Sequence, residues 1–175
     1  PEMTDDGMEH VGRLKSLKKL SLSKTPVTAA GLAKLTGLKE LQALYLRQTG
    51  IDDSALEYVA KLPQLKALDI RYTIVTDEGL AHLAGLVNLK TLKADDASIR
   101  DLALAHLEGL EKLQRLTLRN VAITNAALVH LRKFKSLHRL ELQRAKIDDE
   151  GMANLAQMRQ LDHLCVAGCK ITDVG

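Results

Sequence analysis

Hydrophobic residues recur along this chain with a fixed period of 24 positions. Seven leucines mark the period: Leu20, Leu44, Leu68, Leu92, Leu116, Leu140 and Leu164. In the copy that spans residues 65–88, Leu68 and Ile70 alternate with polar neighbours, which predicts a half-buried strand. Leu80, Leu83 and Leu86 follow at the spacing of one helix face. Each repeat is therefore predicted to contain a strand, a turn, a short helix and a return segment.

A fixed period between 20 and 50 residues is typical of a solenoid. Successive strands joined by a helical crossover run parallel, and the crossover is right-handed. Strands pack about 4.8 Å apart, whereas helix axes need about 8–10 Å, so the sheet must lie on the inside of a curve. We therefore predict an α/β fold: a right-handed solenoid shaped as a horseshoe arc, with a parallel sheet on the concave face and short helices on the convex face.

Smaller residues in each repeat support this architecture. Thr76 or Asp77 can cap the helix that follows, because a short side-chain oxygen accepts a hydrogen bond from an N–H of the first turn. Thr25, Thr49 and Thr73 lie where the strand ends, and their hydroxyls can bond buried backbone groups. The first inward position of each helix holds a small residue, which we expect to let the helix approach the sheet: Gly31, Ala55, Gly79, Ala103, Ala127 and Gly151.

The repeat resembles the leucine-rich repeat family, whose motif is L-x-x-L-x-L-x-x-N/C-x-L. The stretch Leu113-x-x-Leu116-x-Leu118-x-x-Val121-x-Ile123 follows this motif, although Thr or Ala mostly replaces its Asn/Cys. The turn Val75–Leu80 looks like that of F-box ubiquitin-ligase receptors, but the 24-residue length looks more like bacterial members. The resemblance covers residues 1–175 as one domain of about seven repeats. It implies a binding scaffold and identifies no ligand. Both ends stop in mid-repeat, so we expect a piece of a longer protein.

Composition narrows the classes of partner. The net charge of +3 comes from 25 basic and 22 acidic residues, unlike the concentrated basic patch of a nucleic-acid binder. No apolar run reaches the 18 residues of a membrane span. We therefore predict neither nucleic-acid binding nor membrane insertion. Cys165 and Cys169 are too far apart along a strand for a disulfide. Two free thiols weakly favour a cytoplasmic location, and secretion stays open.

The variable positions of the concave face are where a partner would be recognised. Tyr45, Arg47, Arg71 and Tyr72 form the best candidate patch, because Tyr and Arg are enriched among interface hot spots. The full predicted partner-binding set is Tyr45, Arg47, Asp69, Arg71, Tyr72, Lys93, Asp95 and Arg119. The alternative is that an exposed sheet face is polar in any case and that its charged pairs only neutralise one another.

A second basic patch follows along the same face: Arg115, Arg119, Arg139 and Arg144. Like charges on neighbouring strands repel one another. Either an acidic partner or an internal carboxylate, for which Glu141 is the candidate, must relieve that repulsion. The patch lacks the neighbouring aromatic residues on which nucleic-acid bases stack.

The remaining polar clusters do not resemble an active site. His82, His106 and His130 share one helical column, but helix spacing keeps their rings apart, so no metal site is predicted. The paired carboxylates at residues 52–53 and 148–149 lie at helix starts, where capping explains them. Cys165 and His163 share a strand face without a third orienting group. We predict no catalytic residues, no metal and no cofactor.

These observations favour a protein-binding scaffold that is not an enzyme. One alternative is a substrate-recognition segment of a ubiquitin ligase or of a secreted bacterial effector assembly. Another is a structural segment that associates end to end through uncapped repeats. Catalysis by Cys165 and His163 is the least favoured.

Overall fold

The computed structural model describes residues 3–173, in which short strands alternate with short helices. The strands are β1 (Lys19–Ser21), β2 (Ala43–Tyr45), β3 (Ala67–Asp69), β4 (Thr91–Lys93), β5 (Arg115–Thr117), β6 (Arg139–Glu141) and β7 (His163–Cys165). The α-helices are α1 (Met8–Val11), α2 (Ala29–Ala33), α3 (Asp53–Val59), α4 (Asp77–Ala81), α5 (Leu102–His106), α6 (Asn125–Leu128) and α7 (Asp149–Leu155). Short 3₁₀ segments cover Asp5–Gly7, His82–Gly85 and Val129–Lys133.

All seven strands form one parallel sheet in chain order, β1 to β7. The register repeats the sequence period: Leu20 pairs with Leu44, and Leu140 pairs with Leu164. Each side-chain column therefore crosses the sheet at right angles to the strands. The predicted fold is confirmed: a right-handed solenoid with the sheet on the concave face and the helices on the convex face.

The core is a continuous stack of aliphatic side chains between the sheet and the helices. Leu44, Leu92 and Leu116 are fully buried, and so is Phe134, which occupies a position held by leucine in earlier repeats. Burying one such side chain contributes about 1.5–3 kcal/mol. The threonine column behaves as predicted, since the hydroxyls of Thr25, Thr49 and Thr73 donate to the carbonyls three residues earlier at 2.6–2.7 Å.

Each strand ends earlier than its sequence pattern predicts. β3 stops at Asp69 rather than at Arg71, although the N–H of Tyr72 still donates to the carbonyl of Asp95 at 3.0 Å. The next residue in every full repeat has a left-handed backbone: Lys24, Gln48, Tyr72, Asp96, Asn120, Arg144 and Gly168, with φ between 54° and 77°. These residues therefore form a row of turn residues at the rim of the concave face, although the sequence pattern predicts strand positions for them.

Acidic residues at the helix starts join one repeat to the next. Thr76 caps α4 by accepting from the N–H of Glu78. Asp53 of the preceding repeat accepts from the N–H and the hydroxyl of Thr76 at 2.7 and 2.8 Å. The same bonds link Asp5 to Thr28, Asp101 to Thr124 and Asp149 to Thr172. Capping thus explains Asp52 but not Asp53, and our interpretation of the paired carboxylates was half wrong.

These inter-repeat bonds leave little room beside two of the helix glycines, Gly31 and Gly79. A Cβ added to Gly79 would lie 2.2 Å from the Oδ1 atom of Asp53, and one added to Gly31 would lie 2.3 Å from Asp5. The closest obstacle at these glycines is the carboxylate of the preceding repeat, not the sheet. The structure therefore adds a second reason for a small residue at Gly31 and Gly79.

Candidate partner-binding face

In the first part of the concave face, the charges of Asp69 and Arg71 neutralise each other. Asp69 is only 5% exposed, and Arg71 donates to its two oxygens from Nε at 2.8 Å and from Nη2 at 2.6 Å. These hydrogen bonds raise the pKa of Arg71 above its ordinary value. The two residues bond because they lie two positions apart on the same face of an extended segment. Neutralisation of a charged pair is thus present here, between two residues of one extended segment.

The aromatic residues of this region are covered by cations. The guanidinium of Arg47 lies over the ring of Tyr72, 5.0 Å from its centroid. Lys19 lies over the ring of Tyr45 at 5.3 Å. Tyr72 nevertheless remains 47% exposed, because its left-handed backbone places it at the rim. The structure thus brings Arg47 and Tyr72 together and gives Tyr45 a separate partner.

A second network joins the following repeats. Asp95, 3% exposed, accepts from the N–H of Arg119 at 3.0 Å, and the Nε of Arg119 lies 3.6 Å from its other oxygen. Arg119 also contacts Glu141 at 2.7 Å, and Arg139 donates to the other oxygen of Glu141 at 2.8 Å. Glu141 therefore relieves part of the repulsion within the second basic patch, as the sequence suggested.

Glu141 stays charged in this setting. Burial raises the pKa of its carboxyl group, but the hydrogen bond from Arg139 and the charges of Arg119 and Arg139 lower it by more. The net result is a pKa below its ordinary value. An ionised Glu141 is thus the central counter-charge of the second basic patch.

Several short polar side chains on this face are buried, although the sequence predicted an exposed polar surface. Asp69, Asp95, Thr117 and Glu141 are 3–5% exposed. For Asp69, Asp95 and Glu141 the reason is direct, since arginine side chains extend over the carboxylates and bond them. Thr117 differs, because its hydroxyl is buried and has no hydrogen-bond partner within residues 3–173.

The middle of the face forms an open depression of about 900 Å³. Its walls include Tyr45, Lys93 and Arg119 from the predicted set. They also include residues outside that set: Arg115, Thr117, His138, Arg139, Glu141 and Asp162. The arginine column was visible in the sequence, but Thr117 carried no signal because an isolated threonine on a strand is ordinary.

Groups elsewhere have structural partners. His130 lies 2.7 Å from Glu108, and His82 lies 3.9 Å from Glu57. Across residues 3–173, no cluster of three or more His, Cys, Asp or Glu side chains is placed to bind a metal ion. Nor does any helix in this range have the length and apolar composition that crossing a membrane requires.

The two cysteines are free thiols, as predicted. Cys165 accepts a hydrogen bond from the side-chain amide of Gln143 at 2.9 Å, and Cys169 donates to the carbonyl of Leu142 at 3.2 Å. Burial raises the pKa of the Cys169 thiol, which disfavours the reactive thiolate.

Comparisons with known proteins agree with this architecture. A family described as "Leucine-rich repeat region" matches residues 2–174. The crystal structure of an internalin (InlF) from Listeria monocytogenes is similar, with a TM-score of 0.78 and 26% identity over 95% of this chain. This chain covers only 46% of that protein. An internalin C2 from the same species has a TM-score of 0.65 and 23% identity, covering 99% of this chain and 78% of its own. No curated protein matches the sequence.

Proposed function

The chain belongs to the leucine-rich repeat family, and from this premise we propose that it binds a protein partner through its concave face. Leucine-rich repeat folds are generally scaffolds for protein–protein interaction, and such modules are typically not enzymes. The proposed surface contains the eight predicted residues: Tyr45, Arg47, Asp69, Arg71, Tyr72, Lys93, Asp95 and Arg119.

The observation that carries this proposal is the exposure of Tyr72. Its side chain is 47% exposed even though Arg47 covers one face of its ring, whereas Asp69 and Arg71 beside it bond one another. Large exposed aromatic side chains on a rigid support are typical anchors of protein interfaces. In this proposal Tyr72 and Arg47 supply contact area, whereas Asp69 and Asp95 hold Arg71 and Arg119 in position.

Photo-crosslinking tests this proposal with two tyrosines of the same chain. Tyr72 lies at the concave rim, and Tyr58 lies on α3 on the convex side, where Lys61 covers its ring at 5.0 Å. A photoreactive phenylalanine analogue is placed at either position. We expect a protein partner to be captured from position 72 and not from position 58. Capture from position 58 alone, or equal capture from both, would move the interface off the concave face.

Tyr72→Ala supplies the quantitative test with a captured partner. Truncating a hot-spot tyrosine costs about 2 kcal/mol or more of binding, so we expect affinity to fall at least about tenfold. Urea unfolding should be nearly unchanged, because the side chain is half exposed. Unchanged affinity would contradict the proposed role of Tyr72. The ligase or effector segment and the self-assembling segment stay predictions.

A further inference from the structure

The depression in the middle of the concave face carries more positive than negative charge. Four cations line it, Lys93, Arg115, Arg119 and Arg139, against two carboxylates, Glu141 and Asp162. Both oxygens of Glu141 are already bonded by Arg119 and Arg139. In the described chain, residues 3–173, neither the guanidinium of Arg115 nor the ammonium of Lys93 makes an ion pair or a hydrogen bond.

Register places two of these cations side by side. Arg115 on β5 pairs directly with Arg139 on β6, so the two backbones lie about 4.8 Å apart. Like charges directly opposite one another destabilise a sheet. Arg139 has Glu141 as a counter-charge, but Arg115 is exposed and lacks one among the described residues. An anionic ligand would supply the missing counter-charge.

Thr117 is the second, independent observation. It is 4% exposed and pairs in register with Glu141. Its hydroxyl lacks a hydrogen-bond partner throughout residues 3–173, and the residue lines the same depression. A buried hydroxyl without a partner is costly. The cost would be recovered if a ligand oxygen accepted a hydrogen bond from Thr117 beside Arg115.

We propose that this depression binds an acidic segment of a protein partner. Its carboxylates contact Arg115 and Lys93, and one carboxylate oxygen accepts a hydrogen bond from Thr117. Ala67 and Thr91, small residues that also line the depression, leave room for the backbone of the segment. The inference rests on the proposed function and names the chemistry of the partner.

Charge and composition favour an acidic polypeptide over a nucleic acid. Nucleic-acid grooves combine cations with several aromatic stacking platforms. Within residues 3–173 the depression is lined by one tyrosine, Tyr45, whose ring Lys19 already covers, and by one imidazole, His138, which contacts the carbonyl of Ser136. Carboxylates need only the cations and the hydroxyl that the depression supplies.

The probe is a fluorescein-labelled peptide of alternating Glu and Ser, with a Gln/Ser peptide of equal length as its matched control. Fluorescence anisotropy should detect binding of the Glu peptide alone, and added salt should weaken it because exposed charges are screened. Arg115→Gln should weaken binding about five- to tenfold, since it removes a charge-assisted contact. Arg132→Gln, which removes an equal charge from the 3₁₀ segment on the convex side, should leave the affinity unchanged.

Thr117→Val separates recognition from folding. Valine has nearly the shape of threonine, so the variant should bind the Glu peptide about two- to fivefold more weakly. Its Tm should stay equal to that of the wild type or rise, because a buried hydroxyl without a partner is removed. An unchanged affinity of Thr117→Val for the peptide would overturn the assignment of Thr117.

Any one of four outcomes would overturn the proposal. The Glu peptide does not bind at low salt, or Arg132→Gln weakens it as much as Arg115→Gln does. Inorganic phosphate displaces the peptide at a similar concentration, which would indicate a small-anion site. Labelled oligothymidylate binds more tightly than the peptide and is lost in Arg115→Gln, which would indicate a nucleic-acid site. A protein captured from position 72 together with failure of the Glu peptide would remove only this inference, and absence of capture would remove the proposed function itself.

Discussion

Arg71 and Arg115 lie on the same concave face, two repeats apart, in opposite electrostatic settings. Arg71 bonds both oxygens of Asp69, and its side chain is 22% exposed. Arg115 is exposed and, among residues 3–173, has no counter-ion. The difference lies in the residue two positions away on the same face of the extended segment. For Arg71 that residue is Asp69, which bonds it, and for Arg115 it is Thr117, which carries no charge. Residue type alone therefore does not distinguish an arginine that stabilises the fold from one whose guanidinium can bind a ligand.

The same contrast extends to the two halves of the face. The half around β2 and β3 has aromatic rings covered by cations and a carboxylate bonded by an arginine. In the half around β5 and β6, Arg119 and Arg139 share one central carboxylate, Glu141. The third arginine, Arg115, does not contact this carboxylate. We infer that the first half offers contact area and the second offers charge.

Charge reversal at Arg71 and at Arg115 should give the largest difference in stability between two matched variants. Arg71→Glu leaves buried Asp69 without its partner and adds a like charge, so we expect a loss of about 3 kcal/mol of unfolding free energy. Arg115→Glu should raise the unfolding free energy by less than about 0.5 kcal/mol, because it turns the like-charge pair with Arg139 into an opposite-charge pair at an exposed site. Urea denaturation of both variants checks this. Equal losses would mean that Arg115 has a structural partner. Because of this instability, Tyr72→Ala is a cleaner binding test than Arg71→Glu.

Removing the central carboxylate should have an intermediate effect. Glu141→Gln leaves Arg119 and Arg139 less well paired and should cost about 1–2 kcal/mol at neutral pH. The folded-state pKa of Glu141 lies below its ordinary value of 4.5, so its contribution is present above that value and is lost as pH falls through the folded pKa.

Thermal unfolding of both proteins from pH 7 to pH 3 measures this contribution. The stability gap between wild type and Glu141→Gln should narrow as the pH falls below 4.5. A gap that stays constant over this range would show that the charge of Glu141 does not stabilise the fold.

Copying the first half into the second should change stability little and binding strongly. Thr117→Asp places a carboxylate two residues before Arg119, as Asp69 stands before Arg71. Attraction to Arg119 and Lys93 offsets most of the cost of burying the new carboxylate opposite Glu141, so we expect a loss of no more than about 1 kcal/mol. Binding of the Glu peptide should nevertheless fall at least about tenfold, measured by anisotropy, because the new carboxylate halves the excess positive charge of the depression and repels the peptide. Undiminished binding would place the peptide elsewhere.

The sequence predicted the fold well because the leucine column and the solenoid have the same period. It also predicted the hydroxyl bonds of Thr25, Thr49 and Thr73, which depend on position within one repeat. It did not predict contacts that depend on the direction of a side chain across repeats. Asp53 resembles a cap until its distance to Thr76 is known, and the missing partner of Thr117 becomes apparent only when its neighbours are placed.

The exposed member of the predicted set was also assigned to the wrong kind of backbone. The hydrophobic pattern predicts a strand conformation for Tyr72, because a left-handed turn after three strand residues does not alter hydrophobic periodicity. Its φ of 57° is shared by polar and glycine residues at the same position in other repeats. A non-glycine residue with positive φ is uncommon, so residue preferences could not identify a column of them.

This left-handed row has a consequence for the entropy of association. Backbone freedom at Tyr72 is already lost when the repeat folds, since its N–H is held by the carbonyl of Asp95. A partner that contacts the ring would thus meet an anchor whose main chain needs no further ordering, and immobilising groups is one of the main penalties of complex formation. The fixed backbone at Tyr72 would therefore increase the affinity by reducing the entropy lost on binding.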